Sequence, residues 1–245
     1  MIILHSPLLA EHDDVVSGIS TRLGGVSPPP FGMNLSYHVG DTAENVSRNA
    51  ELFFGAMGIP LDRRAVPKQI HSNVVKRVNA PSSVEACDAL ITNSTNLYLC
   101  VSVADCVPIF LYDPRQKAVA AIHAGWRGTA SRISGNAVLR MKEEFQSNPD
   151  DLLAYIGPAA SSCCYAVGDE VAQQFATNFV RREKGITTVD LKAANMQQLV
   201  DEGVLRECID VSEYCTICRP ELLHSYRRDK ANSGRMMGVI GLRGS

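Results

Sequence analysis

Residues 121–128 read Ala-Ile-His-Ala-Gly-Trp-Arg-Gly, and the chain's only tryptophan lies there between two glycines, flanked by His123 and Arg127. Upstream, Cys106 lies in Val-Ala-Asp-Cys-Val-Pro and His71 in Lys-Gln-Ile-His-Ser-Asn. Each of the three sits where an apolar segment meets Gly, Pro or polar residues, which is where a sheet protein presents chemistry at its rim. Two imidazoles and one thiolate can do one of two things. They can hold zinc with a fourth position open, or they can supply a cysteine nucleophile with a histidine base. Separations of 35 and 17 residues are unlike the tight ligand pairs of a zinc finger, so a structural zinc knuckle is not expected here. Taken singly, His71 reads as a structural histidine and Cys106 as a buried thiol. His123 is the strongest of the three, because the Gly-Trp-Arg-Gly turn it opens lets the backbone pass close to something bound.

Four cations are candidates to hold phosphate: Arg48, Lys68, Arg127 and Arg227. The planar arginine fork matches phosphate oxygens. Each alone reads as a surface charge, except Arg127, which shares its turn with His123. His38, in the polar turn Tyr37-His38-Val39-Gly40-Asp41, either caps the next helix or faces the site. The vicinal pair Cys163-Cys164 reads as a tight turn at a strand end. Cys208, Cys215 and Cys218 read as structural thiols, since no histidine joins them at metal-site spacing.

The elements that must position these residues follow from the apolar pattern. Asp41 and Thr42 are N-cap residues for a helix running to Met57, ended by Gly58 and Pro60. Residues 74–78, 89–92, 97–103, 108–112 and 118–122 are strand-like runs, and the turn Asp113-Pro114-Arg115-Gln116 makes a hairpin of the last two. Ile133, Ala137, Val138, Met141 and Phe145 share one helical face. A strand over 152–156, helices over 169–179 and 192–205, and strands over 207–211 and 236–242 complete the pattern. Hairpins and helices occur in runs rather than in strict alternation, which favours an α+β fold with mixed sheets over a doubly wound one. No repeat, linker or domain boundary appears, so residues 1–245 read as one domain. The Pro-rich stretch Ser27–Gly32 reads as a rigid loop.

Composition bounds the class. The chain has 245 residues, 45% hydrophobic and 20% charged, which suits an ordinary globular core. A formal net charge of −2 gives no basic excess of the kind nucleic-acid binders show. The start Met-Ile-Ile-Leu-His-Ser-Pro has no basic segment and no small-residue cleavage site, so no signal peptide is expected. Several of the eight cysteines lie in apolar runs, as buried thiols do, which points to a reduced, cytoplasmic protein. The longest apolar stretch, 97–112, is broken by Asp105 and Pro108 and cannot span a bilayer.

Together the motifs resemble one family. They are Thr21-Arg22-Leu23-Gly24-Gly25, Asn34-Leu35-Ser36-Tyr37-His38-Val39-Gly40-Asp41, Gln69-Ile70-His71, Cys87-Asp88-Ala89-Leu90-Ile91-Thr92, Ala104-Asp105-Cys106-Val107-Pro108, His123-Ala124-Gly125-Trp126-Arg127-Gly128, Gly157-Pro158 with Cys163-Cys164-Tyr165, and Ser225-Tyr226-Arg227-Arg228-Asp229. The chain resembles the YfiH/laccase-domain family over roughly residues 18–242. Ser72 stands where many relatives have glycine, and Cys218 is not part of the pattern. The resemblance implies a central mixed β-sandwich flanked by helices. It implies zinc held by His71, Cys106 and His123, with copper as the older alternative. It also implies phosphorolysis of adenosine, inosine and methylthioadenosine, and deamination of adenosine. The catalytic set is then His71, Cys106, His123 and Arg127. His38, Arg48, Lys68, Gln69 and Arg227 are the residues expected to bind purine nucleoside and phosphate. The expected protein is a monomer without nucleic-acid or membrane partners.

Three competitors stand beside that reading. The fold resembles that of a cysteine–histidine toxin deamidase family, so a metal-free cysteine hydrolase or deamidase using Cys106 and His123 is one. Hydrolytic editing of peptidoglycan precursors, attached to some family members, belongs with it. A multicopper phenol oxidase needs more histidines than six scattered ones supply. A non-catalytic metal- or nucleotide-binding module is the last.

Overall fold

The computed structural model describes residues 1–244. Its strands are β1 (Ile3–Leu4), β2 (Val15–Ser20), β3 (Arg64–Pro67), β4 (Val75–Arg77), β5 (Ser82–Val84), β6 (Ala89–Thr92), β7 (Tyr98–Val103), β8 (Val107–Asp113), β9 (Ala118–Ala124), β10 (Leu153–Ile156), β11 (Val180–Glu183), β12 (Ile186–Val189), β13 (Ile209–Val211) and β14 (Met236–Leu242). Its helices are α1 (Pro7–Ala10), α2 (Ala43–Ala56), α3 (Trp126–Ala130), α4 (Ile133–Phe145), α5 (Asp169–Ala172), α6 (Leu191–Asp201) and α7 (Tyr226–Asp229). Two six-stranded mixed sheets form, in the orders β1-β2-β14-β7-β3-β5 and β13-β10-β8-β9-β6-β4, with β11-β12 as a separate hairpin. This is the α+β architecture expected.

The layers follow from strand periodicity. On β8, Val107, Ile109 and Leu111 join one apolar cluster with the α4 residues Ala137, Val138 and Met141. The alternate residues Phe110 and Tyr112 join another with Leu99, Val101 and Ile240 of the facing sheet. Successive side chains of a strand point to opposite faces, so β8 and β9 are covered on both sides and read as unbroken apolar runs. The outer face of the first sheet, through Val16, Cys100 and Val239, packs on Phe53 and Phe54 of α2. The result is a sandwich of two sheets between α2 on one side and α4 and α6 on the other.

The β8–β9 hairpin forms as expected, with Pro108 opposite His123 and Val107 opposite Ala124. Elements the apolar pattern does not reach also form: the short helices α1, α3 and α7 and the strands β1, β2, β3, β5, β11 and β12. The expected helix over 169–179 does not. It stops at Ala172, and a separate 3-10 turn covers Thr177–Phe179 before the β11-β12 hairpin. The helix expected over 192–205 runs from Leu191 to Asp201, capped by Asp190, whose side chain accepts from the Ala193 N–H.

His224 lies buried just before α7. Burial, then the positive charges of Arg22 and Arg235, push its pKa down to about 3. The unfolded chain takes up a proton on this residue near pH 6.5, which the folded chain refuses until about pH 3. Its contribution to stability is therefore complete above pH 6.5 and falls as pH drops through the window between 6.5 and 3. The slope should approach about 1.4 kcal/mol per pH unit. Denaturant melts at pH 7, 6, 5 and 4 should show that slope, and His224→Gln should flatten it. An unchanged slope in the variant would assign acid lability to other groups.

Candidate functional site

The site forms where the chain leaves one sheet for the other. β7 ends at Val103, a three-residue turn follows, and β8 begins at Val107. Cys106 sits in that turn. Asp105, just before it, has φ 92°, a left-handed conformation that costs a non-glycine residue of order 1–3 kcal/mol and persists only when its surroundings fix it. They do: Asp105 Oδ1 accepts from Thr216 Oγ1 at 2.7 Å, Oδ2 from the Arg227 N–H at 2.6 Å, and its carbonyl from the Ala160 N–H at 2.9 Å. Asp105 thereby ties three loops to the Cys106 turn.

His123 is near the end of β9 and is buried, at 3% exposure. His71 lies in the loop between β3 and β4, exposed, with φ 60°. The rings of His71 and His123 meet edge to face, 5.0 Å between centroids and 80° apart. One ligand atom from each of His71, Cys106 and His123 falls within 4.8 Å of the others.

Asp88, fully buried at the head of β6, organises the group. Its carboxylate accepts from His123 Nδ1 at 2.8 Å and from the His71 N–H at 2.9 Å. It also accepts from the N–H groups of Ile70 and Ser72, at 3.2 and 2.6 Å, and from the Ser72 hydroxyl at 2.7 Å. Burial alone would raise the Asp88 pKa, but His123 and the Ser72 bonds hold it far below the usual carboxylate range. The bond to Nδ1 fixes the His123 tautomer and leaves Nε2 for a ligand. Burial likewise opposes ionisation of Cys106, yet His123 and His71 bring its thiol down to about 6. Burial disfavours protonated His123, and the Cys106 thiolate with Asp88 raises its pKa to about 9. These groups are arranged to concentrate positive charge beside a thiolate. Two imidazoles and a thiolate, one imidazole braced by a carboxylate, are the donor set of an open zinc site.

The Gly-Trp-Arg-Gly segment has a geometric explanation. A Cβ on Gly125 would stand 2.9 Å from His71 Cδ2 and 3.2 Å from Cys106 Sγ, and one on Gly128 would stand 2.7 Å from the Ser72 carbonyl oxygen. Only glycine lets α3 approach the ligands this closely.

A cleft of about 880 Å³ opens onto His71, Cys106 and His123. It brings together most of the residues singled out from sequence: His38, Lys68, Gln69, His71, Cys106, His123 and Arg227 all line it. Gln69 is held in place by its amide, which donates to the Ser102 carbonyl and accepts from the Ser102 N–H. Lys68 pairs with Glu85 at the rim. Two expected residues stand elsewhere. Arg127 does not line the cleft; Gly125 caps α3, so residue 127 points outward and its guanidinium stacks 4.3 Å above the Trp126 ring. Arg48 lies on the exposed side of α2, paired with Glu51. Its place on the cleft is taken by Arg235, half-buried and stacked 5.4 Å from the Tyr226 ring. Arg227 stacks 5.1 Å from Tyr165 on the same wall. Asp88, Asp105, Tyr165 and Arg235 were not singled out as site residues. The Cys-Asp-Ala and Ala-Asp-Cys motifs contain the first two, but only a three-dimensional contact shows what they hold.

A family described as multi-copper polyphenol oxidoreductase laccase matches residues 16–243. The chain belongs to this family. It is 36% identical to "Purine nucleoside phosphorylase YlmD" of Bacillus subtilis, over 94% of this chain and 89% of that one. It is 38% identical to a purine nucleoside phosphorylase of Corynebacterium glutamicum, over 91% and 92%. The crystal structure of YlmD from Geobacillus stearothermophilus superposes with a TM-score of 0.91 at 34% identity, covering 98% of this chain and 94% of that one. YfiH of Bacillus licheniformis gives 0.89 at 35%, covering 94% and 93%. The fold and the family are thus shared with YlmD and YfiH.

Asp88→Asn keeps the size of the hub but removes its charge and turns an amide NH2 toward groups that only donate. If the three side chains hold zinc, its affinity should fall by about 10–100-fold, and the melting temperature should fall as well. Gly125→Ala should weaken zinc similarly by displacing His71 and Cys106. Competition titration against a chromophoric chelator measures both; wild-type affinity in both variants would remove Asp88 and Gly125 from the metal's support.

Proposed function

We propose that this chain is a zinc-dependent purine nucleoside phosphorylase that cleaves adenosine, inosine and methylthioadenosine and also deaminates adenosine. The observation that carries the reading is the single cleft that joins the His71–Cys106–His123 donor set to Arg227 and Arg235. The names of the relatives point the same way, as phosphorylases rather than oxidases. Its size lies within the range of small-molecule sites.

Zinc bound by the three ligands supplies a Lewis acid with an open coordination position. The remaining work falls to the chain. Phosphorolysis forms a bond between a phosphate oxygen and C1′ of the sugar while the bond from C1′ to N9 breaks and its electron pair leaves with the purine. Arg227 and Arg235 would hold the anionic nucleophile, Arg235 through the donors left free after its Nη1 bonds to the Ser233 and Gly234 carbonyls. The faces of Tyr165 and Tyr226 and the apolar wall at Phe54 and Met237 suit a purine base and exclude water from the sugar. Gln69, locked to Ser102, offers a fixed amide for the sugar or base. In deamination, water adds at C6 and ammonia leaves; no phosphate is needed.

Among the described residues, His/Cys/Asp/Glu groups able to hold a metal number two, and histidine enters only this one. That supports a mononuclear centre over multicopper oxidation. All of these side chains come from one chain and one domain, so a monomer suffices. Eight free thiols suit a reducing compartment such as the cytoplasm. Among the described residues no helix is long and apolar enough to cross a membrane.

Purified protein with adenosine and phosphate should yield adenine and ribose 1-phosphate; without phosphate it should yield inosine alone. Adenine formed at the same rate without phosphate would indicate a hydrolase. Cys106→Ala should lose zinc and turnover together, whereas full zinc with no turnover would favour a cysteine nucleophile. Arg227→Lys keeps the charge but loses the fork. Phosphorolysis should fall at least ~10-fold, equivalent to about 1.4 kcal/mol, with deamination less affected. Equal loss of both reactions would give Arg227 a structural role.

A further inference from the structure

The structure adds a contact to the sequence reading of the cysteines that spacing along the chain does not show. Cys215 and Cys218 lack a histidine partner, but the loop after β10 brings Cys163 and Cys164 against them, and the four sulfurs lie within 4.8 Å of one another. Cys218 Sγ is 3.0 Å from Cys164 Sγ and 3.5 Å from Cys163 Sγ. Cys208 does not join. From these contacts we propose a second metal site, in which Cys163, Cys164, Cys215 and Cys218 bind one zinc ion as four thiolates.

Three features support it. A tetrahedron of sulfurs about 2.3 Å from zinc has edges of about 3.8 Å, close to the spacing already present. The Cys215-Thr216-Ile217-Cys218 segment folds as a knuckle around its first sulfur. Cys215 Sγ accepts from the Ser161 N–H at 3.4 Å and from the N–H groups of Ile217 and Cys218. Third, the set is graded from buried Cys215 to exposed Cys163 and Cys218, which leaves a solvent path for an ion.

The clamp would serve the cleft. Its two loops are already joined by a bridge between Ala159 and Cys215 and by the Thr216 N–H donating to the Ala159 carbonyl. One loop leads to Tyr165. The other, through Thr216, meets Asp105 and receives the guanidinium of Arg228 on the Thr216 and Ile217 carbonyls. A metal here would fix the wall on which Arg227 and Tyr165 stand.

The test isolates this site from the proposed catalytic one. In the His71→Ala/His123→Ala chain, reduced and stripped of metal, cobalt(II) should bind at one equivalent. It should give intense near-ultraviolet thiolate charge-transfer bands and visible tetrahedral bands, both removed by one equivalent of zinc. Cys163→Ser and Cys218→Ser, introduced singly and together at exposed positions, should abolish the four-sulfur spectrum while circular dichroism remains native. Intact protein should then carry two zinc ions and the double Ser variant one. The proposal fails if cobalt gives no thiolate bands, or if the bands survive Cys163→Ser/Cys218→Ser. It also fails if freshly purified protein holds these four sulfurs as disulfides without metal.

Discussion

One buried carboxylate holds the site together. Asp88 is fully enclosed, an expensive place for a charge unless every lone pair is engaged. It is engaged five times, by His123 and by the His71–Ser72 loop. Through those bonds a residue just ahead of a sheet strand fixes both histidines, one by its ring and one by its backbone. The positive φ at His71 and the positive φ at Asp105 are tolerated because Asp88 and Asp105 each anchor the surrounding loop. Removing either carboxylate releases strain that the native contacts now hold.

The sandwich supplies the rigid frame. β8 and β9 carry Cys106 and His123 at one end of a hairpin covered on both faces, so these two ligands cannot drift relative to each other. The variable side of the cleft is built from loops: the His38 turn, the Gln69–His71 loop, and the segments bearing Tyr165 and Tyr226–Arg227. The division is physical. Tight packing fixes how Cys106 and His123 face each other, and the loops supply the side chains that vary around them.

Sequence reading singled out His71, Cys106 and His123, which the structure brings together, because Gly, Pro and polar breaks around them mark the rim of a sheet. It reached β6, β8, β9, α4 and β14 because long apolar runs and a clean helical stripe have definite periods. It did not reach Arg235, because an arginine before a strand has no local signature of the cleft it enters. Arg127 stands off the cleft for a local reason: the glycine that suggests a turn instead caps a helix, on which Trp126, Gly128 and Thr129 turn inward and Arg127 alone faces out. The four-cysteine group was missed because its halves lie about 50 residues apart and meet only through the pairing of Ala159 with Cys215. A structural metal reading needs that contact, which spacing along the chain does not contain.

The account rests on one metal at the end of the β8–β9 hairpin. Anomalous diffraction at the zinc edge, on crystals of protein purified without added metal, tests this most directly. The account predicts a peak about 2.0–2.1 Å from one nitrogen each of His71 and His123 and about 2.3 Å from Cys106 Sγ, with a fourth position turned to the cleft. Fully active protein with no peak at that point would contradict it, as would a peak at the copper edge there in place of zinc.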